Sequence, residues 1–81
     1  MSVTVDISDF AFVEAEVHVA VGGSVTWTNS DDADHTATGD AGFDTGTIKP
    51  GESAAVTFDA AGSYAYVCGF HSFMVGSVVV G

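Results

Sequence analysis

The tightest constraint on this sequence is a period of two in its apolar residues, carried by short runs and repeatedly broken by turn-forming residues. Val3, Val5 and Ile7 alternate with Thr4 and Asp6. Phe10 and Phe12 continue the pattern after a one-residue shift at Ser8-Asp9, where a bulge or kink is expected. Val17, Val19 and Val21 alternate with His18 and Ala20 as far as Gly22-Gly23, which reads as a hairpin turn into Val25 and Trp27. Between Asn29 and Asp44 the chain is rich in Asp, Ala, Gly and Thr, with room for a short strand at His35 to Thr38. Lys49-Pro50-Gly51-Glu52 is a turn in which Pro presets its own φ and Gly is free to go positive. Ala54, Val56 and Phe58 alternate again, Ala60-Ala61-Gly62 turns the chain into Ser63–Cys68, and Val75–Val80 closes it as an apolar strand.

Period two puts every second side chain on one face of a strand, whereas a helix would repeat its apolar residues at three and four. No stretch does the latter. Roughly eight short strands with turns every 8–12 residues or so predict an antiparallel β-sandwich or barrel. Helix is expected to be absent, or limited to a single turn within residues 39–46.

Length and charge then narrow the function. A chain of 81 residues makes one domain or a fragment of one, since two cores would have about 40 residues each. Lys and Arg together number 1 against 11 Asp and Glu, a formal net charge of −10. Such a chain cannot neutralise a run of phosphates, which argues against nucleic acid and against an anionic membrane surface. No segment has the roughly 18 consecutive apolar residues of a spanning helix. The single Cys excludes an internal disulfide and leaves this thiol buried, reactive or ligating.

Cys68-Gly69-Phe70-His71-Ser72-Phe73-Met74 sets a thiol, an imidazole and a thioether three residues apart. A loop can turn three such side chains towards one point. His35, at the end of the polar loop after Trp27, supplies a fourth donor at the same pole of a sandwich. Two imidazoles, a thiolate and a weak axial thioether suit both copper oxidation states, because soft sulfur favours Cu(I) and imidazole accepts either. Zinc prefers four strong N and S ligands, and Met is a poor fourth. A lone Cys is most often a small buried hydrophobe, and Met74 alone would be core. It is the four donors together that point to copper.

The run from Gly62 to Val80 resembles the ligand loop and last strand of the cupredoxins, the type 1 blue copper proteins. Its Cys-x-x-His-x-x-Met spacing resembles the amicyanin branch, with a shorter His-to-Met segment than in plastocyanin. Val25-Thr26-Trp27-Thr28-Asn29, His35-Thr36 and Lys49-Pro50-Gly51-Glu52 extend the resemblance over nearly the whole chain. It implies an eight-stranded Greek-key β-sandwich forming a single domain over 1–81, and one copper ion cycling between Cu(I) and Cu(II). It further implies His35, Cys68 and His71 as equatorial ligands, Met74 as the axial one, and no catalytic residue. Thr36 takes the position whose backbone N–H bonds the Cys sulfur, and Tyr64 that of the tyrosine corner. Ser72 stands where the family usually has Pro, which loosens the loop.

The function so implied is a carrier of single electrons between redox proteins, not an enzyme. Partners would dock near His71, Phe70 and Phe73, with the protein a monomer. The resemblance also implies a periplasmic or extracytoplasmic location, with a targeting or anchoring segment absent from this chain. Two rivals are a copper carrier or storage protein and a metal-free structural interaction module. His18 is expected to be an exposed strand residue, and Trp27, Phe10, Phe12 and Phe58 to be core. Asp31, Asp32, Asp34, Asp40 and Asp44 read equally as a docking surface for a basic partner and as a face adapted to high salt.

Overall fold

Alternation becomes strand wherever one face can be buried, and it does so eight times among the residues described here, 2–39 and 42–81 of a computed structural model. The strands are β1 (Ser2–Ser8), β2 (Ala11–Val13), β3 (Glu16–Val19), β4 (Ser24–Asn29), β5 (Thr38–Gly39), β6 (Ser53–Thr57), β7 (Gly62–Val67) and β8 (Val75–Val80). One sheet has the order β2-β1-β4-β6 and the other β3-β8-β7-β5. Val5 and Ile7 of β1 and Val25 and Trp27 of β4 are fully buried. Burying each contributes about 1.5–3 kcal/mol. A one-residue slip of either strand would turn its own buried pair to solvent, so this face fixes the register, in which Val5 opposes Trp27.

The sheets are mixed rather than antiparallel throughout. β1 runs parallel to β4, and β3 parallel to β8. The expected hairpin at Gly22-Gly23 is not one, because β3 and β4 lie in different sheets. Gly22, with φ +86°, carries the chain across the sandwich, and Gly22 N–H and Gly23 C=O bond Phe58 from either side at 2.7 and 2.9 Å. Local turn chemistry looks the same whether a turn returns to its own sheet or crosses to the other, so sequence alone could not separate the two. Likewise the phase shift at Ser8-Asp9 is a tight turn, with β1 and β2 pairing antiparallel and Ser8 opposite Ala11.

Trp27 centres the core, with Tyr66 edge-on at 5.3 Å and Phe43 stacked at 5.8 Å. Phe12 and Phe58 are buried as expected. Phe10 is not, being 44% exposed, and Val21 is exposed too, since the strand ends at Val19. No helix occurs among the described residues. The turn expected within 39–46 falls partly outside the described residues; on its two sides Gly39 N–H bonds Phe43 C=O at 2.8 Å. Tyr64 Oη donates to Ala60 C=O at 2.6 Å, the bond of a tyrosine corner.

Candidate metal centre

β7 ends at Val67 and delivers Cys68 to one pole of the sandwich, fully buried. The chain then makes a short loop. His71 N–H bonds Cys68 C=O at 3.3 Å, Met74 N–H bonds His71 C=O at 2.9 Å, and Cys68 N–H bonds Met74 C=O at 3.0 Å. These bonds bring β8 back beside β7, with His71 half-buried and Met74 buried. His35 arrives from the other direction. Its backbone exchanges hydrogen bonds with Ile48 at 3.1 and 2.7 Å, and its ring is fully buried.

The donor atoms of His35, Cys68 and His71 lie within 4.8 Å of one another. Cys68 Sγ is 3.6 Å from His35 Nδ1 and 3.8 Å from His71 Nδ1. Those separations are long for hydrogen bonds but right for donors around a common ion. Two metal–ligand bonds of about 2.0–2.3 Å opened to a trigonal angle span roughly 3.7 Å. The donor set also fits copper chemically, since two imidazole nitrogens and a thiolate sulfur are the strong donors of a type 1 site.

Neighbouring groups hold these side chains in place. Thr36 N–H points at Cys68 Sγ at 3.5 Å, and Thr36 Oγ1 accepts from Gly69 N–H at 2.7 Å, so one residue holds both the sulfur and the backbone that follows it. Asp31 Oδ2 lies 2.9 Å from His35 Nε2, which leaves Nδ1 facing the sulfur. The same carboxylate accepts the N–H groups of Asp9 and Phe10 at 2.8 and 2.9 Å. Burial pushes the Asp31 carboxyl up, but the N–H bonds of Phe10 and Asp9, and then His35, outweigh it, leaving the group below the usual carboxylate range.

Asn29, fully buried at the end of β4, positions this loop. Its Nδ2 donates to Ala33 C=O at 2.7 Å and Ile48 C=O at 2.8 Å, and its Oδ1 accepts from Asp31 N–H at 2.9 Å. The sequence marked Asn29 as part of a family motif without giving it a role, and placed Asp31 on the surface. The available signal was the spacing of Asp31 four residues before His35. Asp32, Asp34 and Asp44 are exposed, while Asp40 lies outside the described residues. His18 is exposed and pairs with Glu16 at 3.2 Å, away from the site. Phe70 and Phe73 are 55% and 69% exposed beside His71.

The family described as copper binding proteins of the plastocyanin/azurin type matches residues 1–81. The chain belongs to that family. It is 35% identical to the amicyanin of Paracoccus denitrificans over 98% of its own length and 65% of the relative's. It is 33% identical to amicyanin-alpha of Methylorubrum extorquens over 98% of the chain and 71% of that relative. A chloroplastic plastocyanin of Tetradesmus obliquus is 36% identical over 93% of the chain and 61% of its own length. The chain thus spans about two thirds of the length of the curated relatives it matches. A solved structure of a reduced Cu(I) form of an amicyanin variant superposes with a TM-score of 0.91 at 35% identity, covering 99% of this chain and 82% of that one. The expected cupredoxin sandwich with an amicyanin-like loop is therefore borne out in sequence and in fold. The family binds copper, and the His35–Cys68–His71 cluster fits a type 1 centre.

Proposed function

We propose that this chain is a blue copper protein that carries single electrons between larger redox proteins, residues 1–81 acting as one cupredoxin-like domain. In this reading His35, Cys68 and His71 are the equatorial ligands and Met74 the axial one. The observation that carries it is the convergence of one buried thiol and two imidazole nitrogens within 4.8 Å at one end of a rigid sandwich. Bound copper supplies the one-electron Cu(I)/Cu(II) couple. The protein's part is to keep the donors still, so that little rearranges as the charge changes. His35 is fixed by Asp31 and by the Ile48 bridge, and Cys68 by the Thr36 N–H. The half-buried His71 is the donor of the three nearest to solvent.

Electrons would enter and leave at the His71 end, where the exposed rings of Phe70 and Phe73 form an apolar patch. A partner seated there approaches the site closely without trapping strongly held water. Partners that meet the acidic remainder of the surface favourably are basic. The amicyanin and plastocyanin relatives support an extracytoplasmic workplace. Among the described residues no helix is long and apolar enough to cross a membrane.

Adding Cu(II) tests the reading directly. The protein is expected to turn intensely blue through thiolate-to-copper charge transfer, and Cys68→Ala to abolish the colour. A colourless wild-type protein defeats it and restores the metal-free interaction module. Voltammetry separates a shuttle from a copper carrier or store. Reversible waves are expected, whereas irreversible oxidation with loss of copper would favour storage.

A further inference from the structure

We propose that Phe10 is a positioning residue for both imidazoles, clamped over them by Asp31; the proposal rests on the copper reading above. Because Ser8 opposes Ala11, Asp9 and Phe10 are the two central residues of a two-residue hairpin loop, with φ of 52° and 56°. Both lie in the left-handed region, the arrangement for which Asn-Gly or Asp-Gly is the usual pair. An aromatic residue at the second position is strained, and such strain persists only where the surroundings hold it. Glycine would make this turn at lower cost but would present no ring.

What holds the turn is Asp31. One carboxylate accepts Asp9 N–H through Oδ1 and Phe10 N–H through Oδ2, and Oδ2 also meets His35 Nε2. Backbone strain and ligand orientation are thereby tied to a single side chain. The Phe10 ring then stands edge-on to His35 at 5.4 Å and to His71 at 5.1 Å, while the imidazoles are 5.1 Å apart. Three rings form a nearly equilateral triangle. His35 is already fixed by its backbone bridge to Ile48. His71 sits on a short loop with Phe73 at 5.9 Å. Phe10 therefore restrains rotation of the His71 ring and keeps water from the space between the imidazoles. Neither effect requires Phe10 to touch the metal.

Two measurements on Phe10→Ala, Phe10→Tyr, Asp31→Asn and the double variant Phe10→Ala/Asp31→Asn decide the matter, with β-sheet circular dichroism as the fold control. The first is the nuclear magnetic resonance shift of the His71 ring protons in metal-free protein. Wild type is expected to show ring-current displacement of these protons, lost in Phe10→Ala, reduced in Asp31→Asn and kept in Phe10→Tyr. The second is the rate of Cu(I) transfer to excess bicinchoninate. Phe10→Ala and Asp31→Asn should each release copper at least about tenfold faster, and Phe10→Tyr should stay close to wild type. The double variant should be no faster than the faster single one, since the two residues act as one device. If Phe10→Ala does not fold, Phe10→Leu replaces it with the same expectations. Unchanged His71 shifts in Phe10→Ala, unchanged copper release, or effects that multiply in the double variant would each overturn the clamp. A wild-type protein that takes up no copper would defeat the copper reading instead, and the metal-free shifts would still judge Phe10.

Discussion

At the scale of single residues, the site is governed by groups that are not themselves donors. Asp31 serves three partners at once, and its lowered pKa makes that service depend on acid. The folded carboxyl holds its proton less tightly than the unfolded one, whose ordinary value is 3.8. Its contribution to stability is therefore complete well above pH 3.8 and fades as pH falls through the lower folded value. Asp31→Asn should be less stable than wild type near neutrality, with the gap narrowing in acid. Urea titrations at several pH values measure this, and a gap independent of pH would contradict it. Ser72 offers a change of opposite sign. It follows His71 in the turn closed by Met74 N–H on His71 C=O, the position at which Pro is favoured. Its φ is not positive. Ser72→Pro should stabilise the fold by about 0.4–1 kcal/mol by restricting the unfolded chain, read as a raised denaturation midpoint.

At the scale of elements, the pairing of β7 with β8 positions Cys68 and Met74, and its tolerances are small. Gly76 opposes Tyr66, and a Cβ there would lie 2.5 Å from the Tyr66 hydroxyl end and 3.0 Å from Ala15 C=O. The Tyr66 ring cannot retreat, because Trp27 and Phe12 pack against it at 5.3 and 4.7 Å. Gly76→Ala should therefore destabilise by about 1–3 kcal/mol through overpacking, seen as a lowered melting temperature. A neutral result would mean that the two sheets can separate locally. The strands themselves were legible in the sequence. β7 and β8 were expected at Ser63–Cys68 and Val75–Val80, within a residue of the observed bounds. Which strands pair was not legible, because alternation tells which face is buried and nothing about the neighbour.

For the molecule as a whole, a net charge of −10 with a single Lys and no Arg means that compaction brings like charges together. Folding stability should rise as salt is added, since the screening length falls to about 3 Å at 1 M. Melting temperatures across a sodium chloride series test this. A fall would show that specific charge contacts outweigh general repulsion, although the acid–base side-chain contacts among the described residues are only Glu16–His18 and Asp31–His35. If the same charge steers a basic partner, the electron-transfer rate should decline over that series while stability climbs.

Alone, the sequence determined the all-β class, the buried Trp27 and the four candidate donors, because these follow from periodicity and residue chemistry along a short stretch of chain; the choice of a sandwich over a barrel came with the family resemblance. Only the tertiary structure decided that β1 and β4 run parallel, that Gly22 crosses between sheets, and that Phe10 leaves the core for the two histidines. It also turned Asp31 from a surface acid into the group that fixes His35. Each of these depends on contacts between residues distant along the chain. Whether a carboxylate or an aromatic ring finds such a partner is set by how strands are ordered in space, which the spacing of residues does not encode.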